Sequence, residues 1–284
     1  MTFTTLISSE QLAGHLDDSA WVLIDCRFSL ADPGAGERAY RAGHIPTARY
    51  AHLERDLSAP TTACSGRHPL PQRETLIAAL GAWGVGHDSQ VVAYDDAGGA
   101  FAARLWWLLR SVGQQRVAVL DGGWGRWLQE GRPVTDVEPV PQQALFRARP
   151  PLAAWLSTAQ LQVGLAQQAF CLVDARAAER FRGEVEPIDT VAGHVPGAVN
   201  LPFQHNLAAD GRFLSPDQLR RQFMPLLGRF RPEETVHMCG SGVTACHNLL
   251  AMEVAGLSGS RLYPGSWSEW IRDPARPVVR GASS

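Results

Sequence analysis

Thr235-Val236-His237-Met238-Cys239-Gly240-Ser241-Gly242-Val243-Thr244-Ala245-Cys246-His247-Asn248-Leu249-Leu250 changes character twice within one short span. The apolar run Val236 to Met238 reads as a buried strand. From Cys246 onward, Leu249, Leu250, Val254 and Leu257 recur at 3.6-residue spacing, the mark of one packed helix face. Between strand and helix lies Cys239, followed by a loop whose glycines, Gly240 and Gly242, let the backbone curl tightly. A cysteine at the mouth of such a turn faces unpaired N–H groups and the positive end of a helix dipole. Both favour thiolate over thiol, and the thiolate is the nucleophile. On these residues alone, a small buried cysteine closing a strand fits the same pattern.

The loop Cys239-Gly240-Ser241-Gly242-Val243-Thr244-Ala245, followed by Tyr263-Pro264-Gly265-Ser266-Trp267-Ser268-Glu269-Trp270, closely resembles the active-site loop and C-terminal signature of the 3-mercaptopyruvate sulfurtransferases. These are members of the rhodanese superfamily. The resemblance implies that Cys239 is the catalytic nucleophile and that Gly240, Ser241, Gly242, Val243 and Thr244 form the loop holding its persulfide. It also implies two tandem rhodanese-like domains of α/β class, each a mostly parallel sheet with helices on both faces. No metal and no organic cofactor are implied.

The bulk numbers agree with a two-domain globular chain: 284 residues, 45% hydrophobic, 19% charged, net charge −2. That balance gives no general pull toward nucleic acid or an anionic membrane. No lysine occurs, so all 26 basic residues are arginine, which excludes Schiff-base chemistry and lysine-based phosphate loops. The N-terminus carries no positively charged region ahead of an apolar stretch, and no apolar run is long enough to span a membrane. The cysteines, Cys26, Cys64, Cys171, Cys239 and Cys246, are odd in number and lack a metal-type C-x-x-C pair. A reducing compartment, the cytoplasm, is expected. Cys246 lies on the packed helix face and reads as core.

The chain repeats itself. Trp21-Val22-Leu23-Ile24-Asp25-Cys26-Arg27 recurs as Phe170-Cys171-Leu172-Val173-Asp174-Ala175-Arg176, and Ala42-Gly43-His44-Ile45-Pro46 recurs as Ala192-Gly193-His194-Val195-Pro196. Gly122-Gly123-Trp124-Gly125-Arg126-Trp127 recurs as Gly265-Ser266-Trp267-Ser268-Glu269-Trp270. The offsets run 149, 150 and 143, so copy one is seven residues longer after its Gly-His turn. Strands alternating with helices argue a parallel sheet in each copy, with ligands outside the carboxyl ends of the strands. The expected division is an N-terminal domain over 1–136, a linker over 137–153 and a catalytic C-terminal domain over 154–284. The proline-rich stretch Val137 to Pro151 reads as a semi-rigid linker. The 143 offset sets Asp96 opposite Cys239. An aspartate holds no persulfide, so copy one is expected to be catalytically inactive, with Trp106, Trp107, Trp124 and Trp127 as core.

An anionic sulfur donor needs a fixed cation near Cys239. In Asp174-Ala175-Arg176-Ala177-Ala178-Glu179-Arg180-Phe181-Arg182, Arg176 has a twin in Arg27 and reads as half of a structural Asp–Arg pair. Arg180 has no twin and resembles the family's substrate-anion arginine. Arg182 is a second candidate, equally readable as a solvated neighbour. The family commonly carries another arginine just after Glu-Pro, where this chain has Glu186-Pro187-Ile188-Asp189. His44 and His194 occupy matched turns and so read first as structural. The resemblance also allows His44 to orient Ser241 or a protonating group near the leaving pyruvate. His237, inside the strand, reads as packed.

The resemblance therefore implies an enzyme that moves sulfur from 3-mercaptopyruvate through a Cys239 persulfide to cyanide or a thiol such as thioredoxin, with ping-pong kinetics. The chain is expected to work as a monomer. Thiosulfate sulfurtransferase is the alternative donor reading; enzymes of that type carry arginine and lysine where Gly240 and Ser241 stand. A persulfide carrier in a sulfur relay is the non-enzymatic alternative. Cysteine phosphatase fails on one residue, because Ala245 stands where a Cys-x5-Arg loop needs its arginine.

Overall fold

The computed structural model describes residues 2–140 and 142–282. Met1, Ser283, Ser284 and Pro141, the last within the expected linker, lie outside the described residues. The chain divides into two units. Unit 1 comprises Met1–Ala59, Leu70–Leu152 and Ala208–Phe213; unit 2 comprises Pro60–Pro69, Ala153–Leu207 and Leu214–Ser284.

In unit 1, β1 (Leu6–Ile7), β2 (Trp21–Asp25), β3 (Arg49–Tyr50), β4 (Gln90–Tyr94) and β5 (Val117–Leu120) form a sheet of order β1-β5-β4-β2-β3, parallel throughout. Every residue of β2 and β4 is buried, as expected for strands covered on both faces. Leu23, Val92, Ala118 and Trp127 belong to one apolar cluster on this sheet. Trp106 and Trp107 are each 1% exposed, and Trp124 lies half-buried against the cluster.

The expected linker does not hang free. The N–H groups of Ala144, Arg149 and Leu152 donate to the carbonyls of Gly81, Val112 and Arg110, pinning the segment along unit 1. Gly113, at φ +87°, permits this approach, since any Cβ there would meet Arg149 backbone at 2.7 Å.

In unit 2, β6 (Cys171–Asp174), β7 (Val199–Asn200), β8 (Thr235–Met238) and β9 (Arg261–Leu262) form a parallel sheet of order β7-β6-β8-β9. Unit 2 also holds the helices Pro216–Leu227 and Ala245–Val254 and the short helix Ser266–Trp270, the second being the helix expected from Cys246 onward. Among the described residues, no helix is long and apolar enough to cross a membrane.

The repeated Asp-x-Arg motifs adopt the same geometry. Arg27 donates to Asp25 (2.6 Å) and Gly43 O (2.7 Å) and lies over Trp124; Arg176 donates to Asp174 (2.7 Å) and Gly193 O (2.8 Å) and lies over Trp267. These buried pairs tie each central strand end to its Gly-His turn.

His237, on β8, is wholly buried, with Nε2 3.0 Å from Met252 Sδ, and Nδ1 has no partner among the described residues. Burial penalises the imidazolium and holds its pKa down to about 3. The unfolded chain protonates near the ordinary value, so this contribution is complete above that value and is lost as pH falls toward 3. From pH 6.5 to 5, His237 should remove about 2 kcal/mol of stability. Urea unfolding should show that much less acid sensitivity in His237→Gln than in wild type. Equal pH slopes in the two proteins would contradict a neutral buried imidazole.

Candidate active site around Cys239

Cys239 closes β8 and is 2% exposed. The next residues turn sharply, with Gly242 at φ +78° and its α-carbon so close to Pro264 that a Cβ would lie 2.3 Å from Pro264 O. Only glycine fits there. The turn folds the loop back on its own sulfur, so that Gly242 N–H donates to Cys239 Sγ at 3.1 Å. The N–H groups of Ser241, Val243 and Thr244 make no hydrogen bond among the described residues. The helix Ala245–Val254 begins without a side-chain cap. An anion on the Cys239 sulfur would meet the Gly242 N–H and lie close in sequence to the start of that helix.

The floor of the site is the turn before helix Ser266–Trp270. Cys239 N–H donates to Ser266 Oγ (3.0 Å), Trp267 N–H to Cys239 O (3.0 Å) and Ser268 N–H to Gly240 O (2.9 Å). Ser266 holds φ +54°, a left-handed conformation costly for serine, and its hydroxyl also donates to Tyr263 O at 2.9 Å.

The segment 60–69, although early in the chain, belongs to unit 2. Gly66 brings it against the 265–268 turn so closely that a Cβ would lie 2.6 Å from Gly265 O. Two side chains enter the site as a result. His68 is 3% exposed, with Nδ1 2.7 Å from Ser241 Oγ. Arg67, its N–H held by Ser268 Oγ at 3.0 Å, reaches Asp189. A methyl group on Gly240 would lie 3.0 Å from Arg67 Nη2 and 3.6 and 3.7 Å from Arg180 Nη1 and Nη2. Two guanidinium groups thus flank the residue after the nucleophile.

Arg180 is anchored by carboxylates. It donates through Nε and Nη2 to Glu186 (2.7 Å for the shortest bond) and through Nη2 to Asp189 at 3.2 Å. Burial pushes the Asp189 carboxyl above its ordinary value, against the pull of Arg67 and Arg180. For Glu186 burial acts the same way, but the hydrogen bonds and charge of Arg180 outweigh it and hold the group below its ordinary value.

Sequence reasoning brought Cys239, its loop and Arg180 to one place; the structure does the same. Arg182 is more exposed, at 37%, and spends its guanidinium on Glu184 at 2.7 and 2.8 Å. Among the described residues no hydrogen bond or ion pair links its side chain to the loop. His44 sits in unit 1, wholly buried, stacked on Tyr40, with Nδ1 2.8 Å from Tyr40 O and Nε2 3.2 Å from Val137 O. His194 repeats this arrangement on Phe181. His44 is therefore a turn-bracing residue with both nitrogens engaged, and the partner expected for Ser241 is His68.

Copy one also needs a correction. Asp25 pairs with Tyr94 as Asp174 pairs with Met238, and Trp124 N–H donates to Asp95 O as Trp267 N–H donates to Cys239 O. Asp95, not Asp96, stands opposite Cys239. Its wholly buried carboxylate accepts from the N–H groups of Ala97 (2.9 Å), Gly99, Phe101 and Ala102 (each 2.8 Å). The loop of unit 1 is an anion cradle filled by its own side chain.

Comparison with known proteins agrees with this geometry. The family model "Rhodanese-like domain" matches residues 8–130 and 155–273. The chain belongs to the rhodanese family. It is 51% identical over 284 residues to a protein of Pseudomonas aeruginosa named "Probable 3-mercaptopyruvate sulfurtransferase", spanning 99% of this chain and 100% of the other. It is 35% identical over 295 residues to the thiosulfate sulfurtransferase of Mus musculus, spanning 99% and 97% of the two chains. Its structure resembles that of SseA from Escherichia coli, a 3-mercaptopyruvate sulfotransferase, with TM-score 0.79 and 31% identity over 94% of this chain and all of that one. Both copies of the rhodanese fold read in sequence are present.

Proposed function

We propose that this rhodanese-family protein is a sulfurtransferase whose donor is 3-mercaptopyruvate, with unit 2 catalytic and unit 1 an inactive copy. The observation that carries the reading is Cys239 Sγ at the mouth of a loop whose Gly242 N–H already points at it. In the first half-reaction the Cys239 thiolate attacks the donor sulfur. The S–S bond forms from the thiolate pair, and the C–S pair leaves on carbon as the enolate of pyruvate. The proton of the donor thiol, or one from solvent, completes pyruvate. In the second, a nucleophile such as cyanide or a thiol takes the outer sulfur and the thiolate returns. Loop N–H groups stabilise the anionic sulfur in both states. Ser241, two residues from the nucleophile and held by His68, is placed to donate to the enolate oxygen as charge develops there.

Donor choice follows from charge. The loop residues Gly240 and Ser241 are neutral, and the cations beside them, Arg67 and Arg180, are matched by Asp189 and Glu186. A balanced site suits one carboxylate better than the dianion thiosulfate. With cyanide as the shared acceptor, kcat/KM should favour 3-mercaptopyruvate over thiosulfate by at least about tenfold. Thiosulfate remains a second reading because two guanidinium groups do stand beside the loop, and a wild-type preference for thiosulfate would establish it. We place the protein in the cytoplasm, acting as a monomer on small donors with thioredoxin among its acceptors. The five cysteines are all free, which fits a reducing setting.

A further inference from the structure

Arg49 opens β3, and the same strand position in the other copy holds a valine. Arg49 pairs with Ile24 on β2 as Val199 pairs with Val173 on β6, and Tyr50 likewise matches Asn200. The sheet therefore forms without a charge at this place. The guanidinium of Arg49 is also poorly provided for. Its Nη1 donates to Thr47 O at 3.1 Å, its Nε is buried with no partner among the described residues, and its Nη2 makes no hydrogen bond among them. No carboxylate among those residues pairs with it. Burial holds the group below its ordinary value, and Tyr40 opposes only part of that. A half-buried cation without a counter-ion is costly, and the fold of the other copy shows no need for it.

Arg49 lines a cavity of about 290 Å³, and every residue around that cavity belongs to unit 1. The other charges in the walls are matched. Glu37 accepts from Arg41 at 2.8 Å and from Arg55 at 3.0 Å, and Glu138 lies 3.6 Å from Arg41. Three arginines thus face two carboxylates, and the unmatched charge is that of Arg49. The rest of the lining is apolar and ringed: Tyr40, Tyr50, Trp83 and Pro139. Both phenol groups are already engaged, Tyr40 donating to Ala48 O at 2.8 Å and Tyr50 to Arg27 O at 3.0 Å. What they offer the cavity is ring surface. The outer wall is fixed through His44, whose Nε2 lies 3.2 Å from Val137 O, just before Glu138 and Pro139.

We propose that this cavity is a binding site for a small aromatic monocarboxylate. The carboxylate supplies the single negative charge that Arg49 lacks, and the ring lies among Tyr50, Trp83 and Pro139. A pocket with a few placed polar groups in an apolar lining is the usual form of a small-molecule site. A second negative charge would meet Glu37 and Glu138, so the site favours monoanions over dianions. The copy without the nucleophilic cysteine thereby has a ligand of its own, whatever the sulfur donor of the other copy.

The test is calorimetric titration of the full chain with benzoate, after Cys239 has been alkylated with iodoacetamide so that its loop is blocked. Benzoate should bind saturably, one per chain, with a Kd of roughly millimolar or tighter. Acetate, which lacks the ring, and benzamide, which lacks the charge, should each bind at least about tenfold more weakly. Arg49→Val, which installs the residue of the other copy, should lower benzoate affinity at least about tenfold, and Arg49→Lys should keep part of it. Without ligand, Arg49→Val should melt no lower than wild type, because an unpaired charge has been replaced by a strand-forming apolar residue. The proposal is overturned if the wild type shows no saturable binding of benzoate, if benzamide binds as well, or if Arg49→Val binds benzoate undiminished. It is overturned too if unliganded Arg49→Val melts more than about 3 °C below wild type, since Arg49 would then serve the fold.

Discussion

Cys239→Ser should lose sulfur transfer from either donor, with kcat/KM falling by at least about a thousandfold. Serine keeps the shape of the site and its hydrogen bond from Gly242, but its hydroxyl is neither ionised nor able to hold a transferable sulfur at neutral pH. No other cysteine is placed to take over. Burial pushes the Cys26 thiol well above its ordinary value, with Asp25 and Asp95 adding to the shift. Burial pushes Cys171 up to about 11. Cys246 is wholly buried and its Sγ lies 3.4 Å from Gly242 O, to which it donates. Cys64 is exposed and outside any loop of this kind. Each of these four as alanine should keep sulfur transfer per folded molecule. Steady-state assays of the five variants decide the matter, and turnover by Cys239→Ser above about one per cent of wild type would move the nucleophile elsewhere.

Asp95→Ala should destabilise unit 1 by roughly 3–5 kcal/mol. Its carboxylate satisfies four backbone N–H groups at 2.8–2.9 Å within a wholly buried turn. Alanine leaves those donors without an acceptor, and asparagine accepts with one atom while turning an N–H2 toward the rest. Asp96, its exposed neighbour, should change stability by less than about 0.5 kcal/mol as alanine. Thermal unfolding of the two variants separates them. Similar, small shifts for both would mean that water fills the cradle as well as the carboxylate does.

This cradle also accounts for what could be read from sequence and what could not. The strand–turn–helix around Cys239 is legible because an apolar run, two glycines and a 3.6-residue pattern fall in immediate succession, each a local signal. The repeated Asp25–Arg27 and Asp174–Arg176 pairs are legible because the same buried geometry demands the same residues twice. Asp95 is missed because the extra length of copy one is split: His44 to Asp95 spans 51 positions against 45 from His194 to Cys239, leaving one further residue after the loop. A single offset cannot express that. Arg67 and His68 are missed for a related reason. They lie in the added stretch of copy one, which has no twin, and they reach Cys239 through a long-range contact set by Gly66 and the 265–268 turn. The unmatched length was itself the available signal. His44 owes its candidacy to the family resemblance alone, while its matched turn reads as structural; the structure agrees with the structural reading, since the repeated turns of both units are braced in the same way.

The most direct measurement is peptide mass spectrometry after the protein has been treated with 3-mercaptopyruvate and the free donor removed. The account predicts one added sulfur atom per chain, on the peptide that holds Cys239, lost when cyanide is added and absent in Cys239→Ser. An added sulfur on the peptides of Cys26, Cys64, Cys171 or Cys246, or no added sulfur while pyruvate is still released, would contradict it.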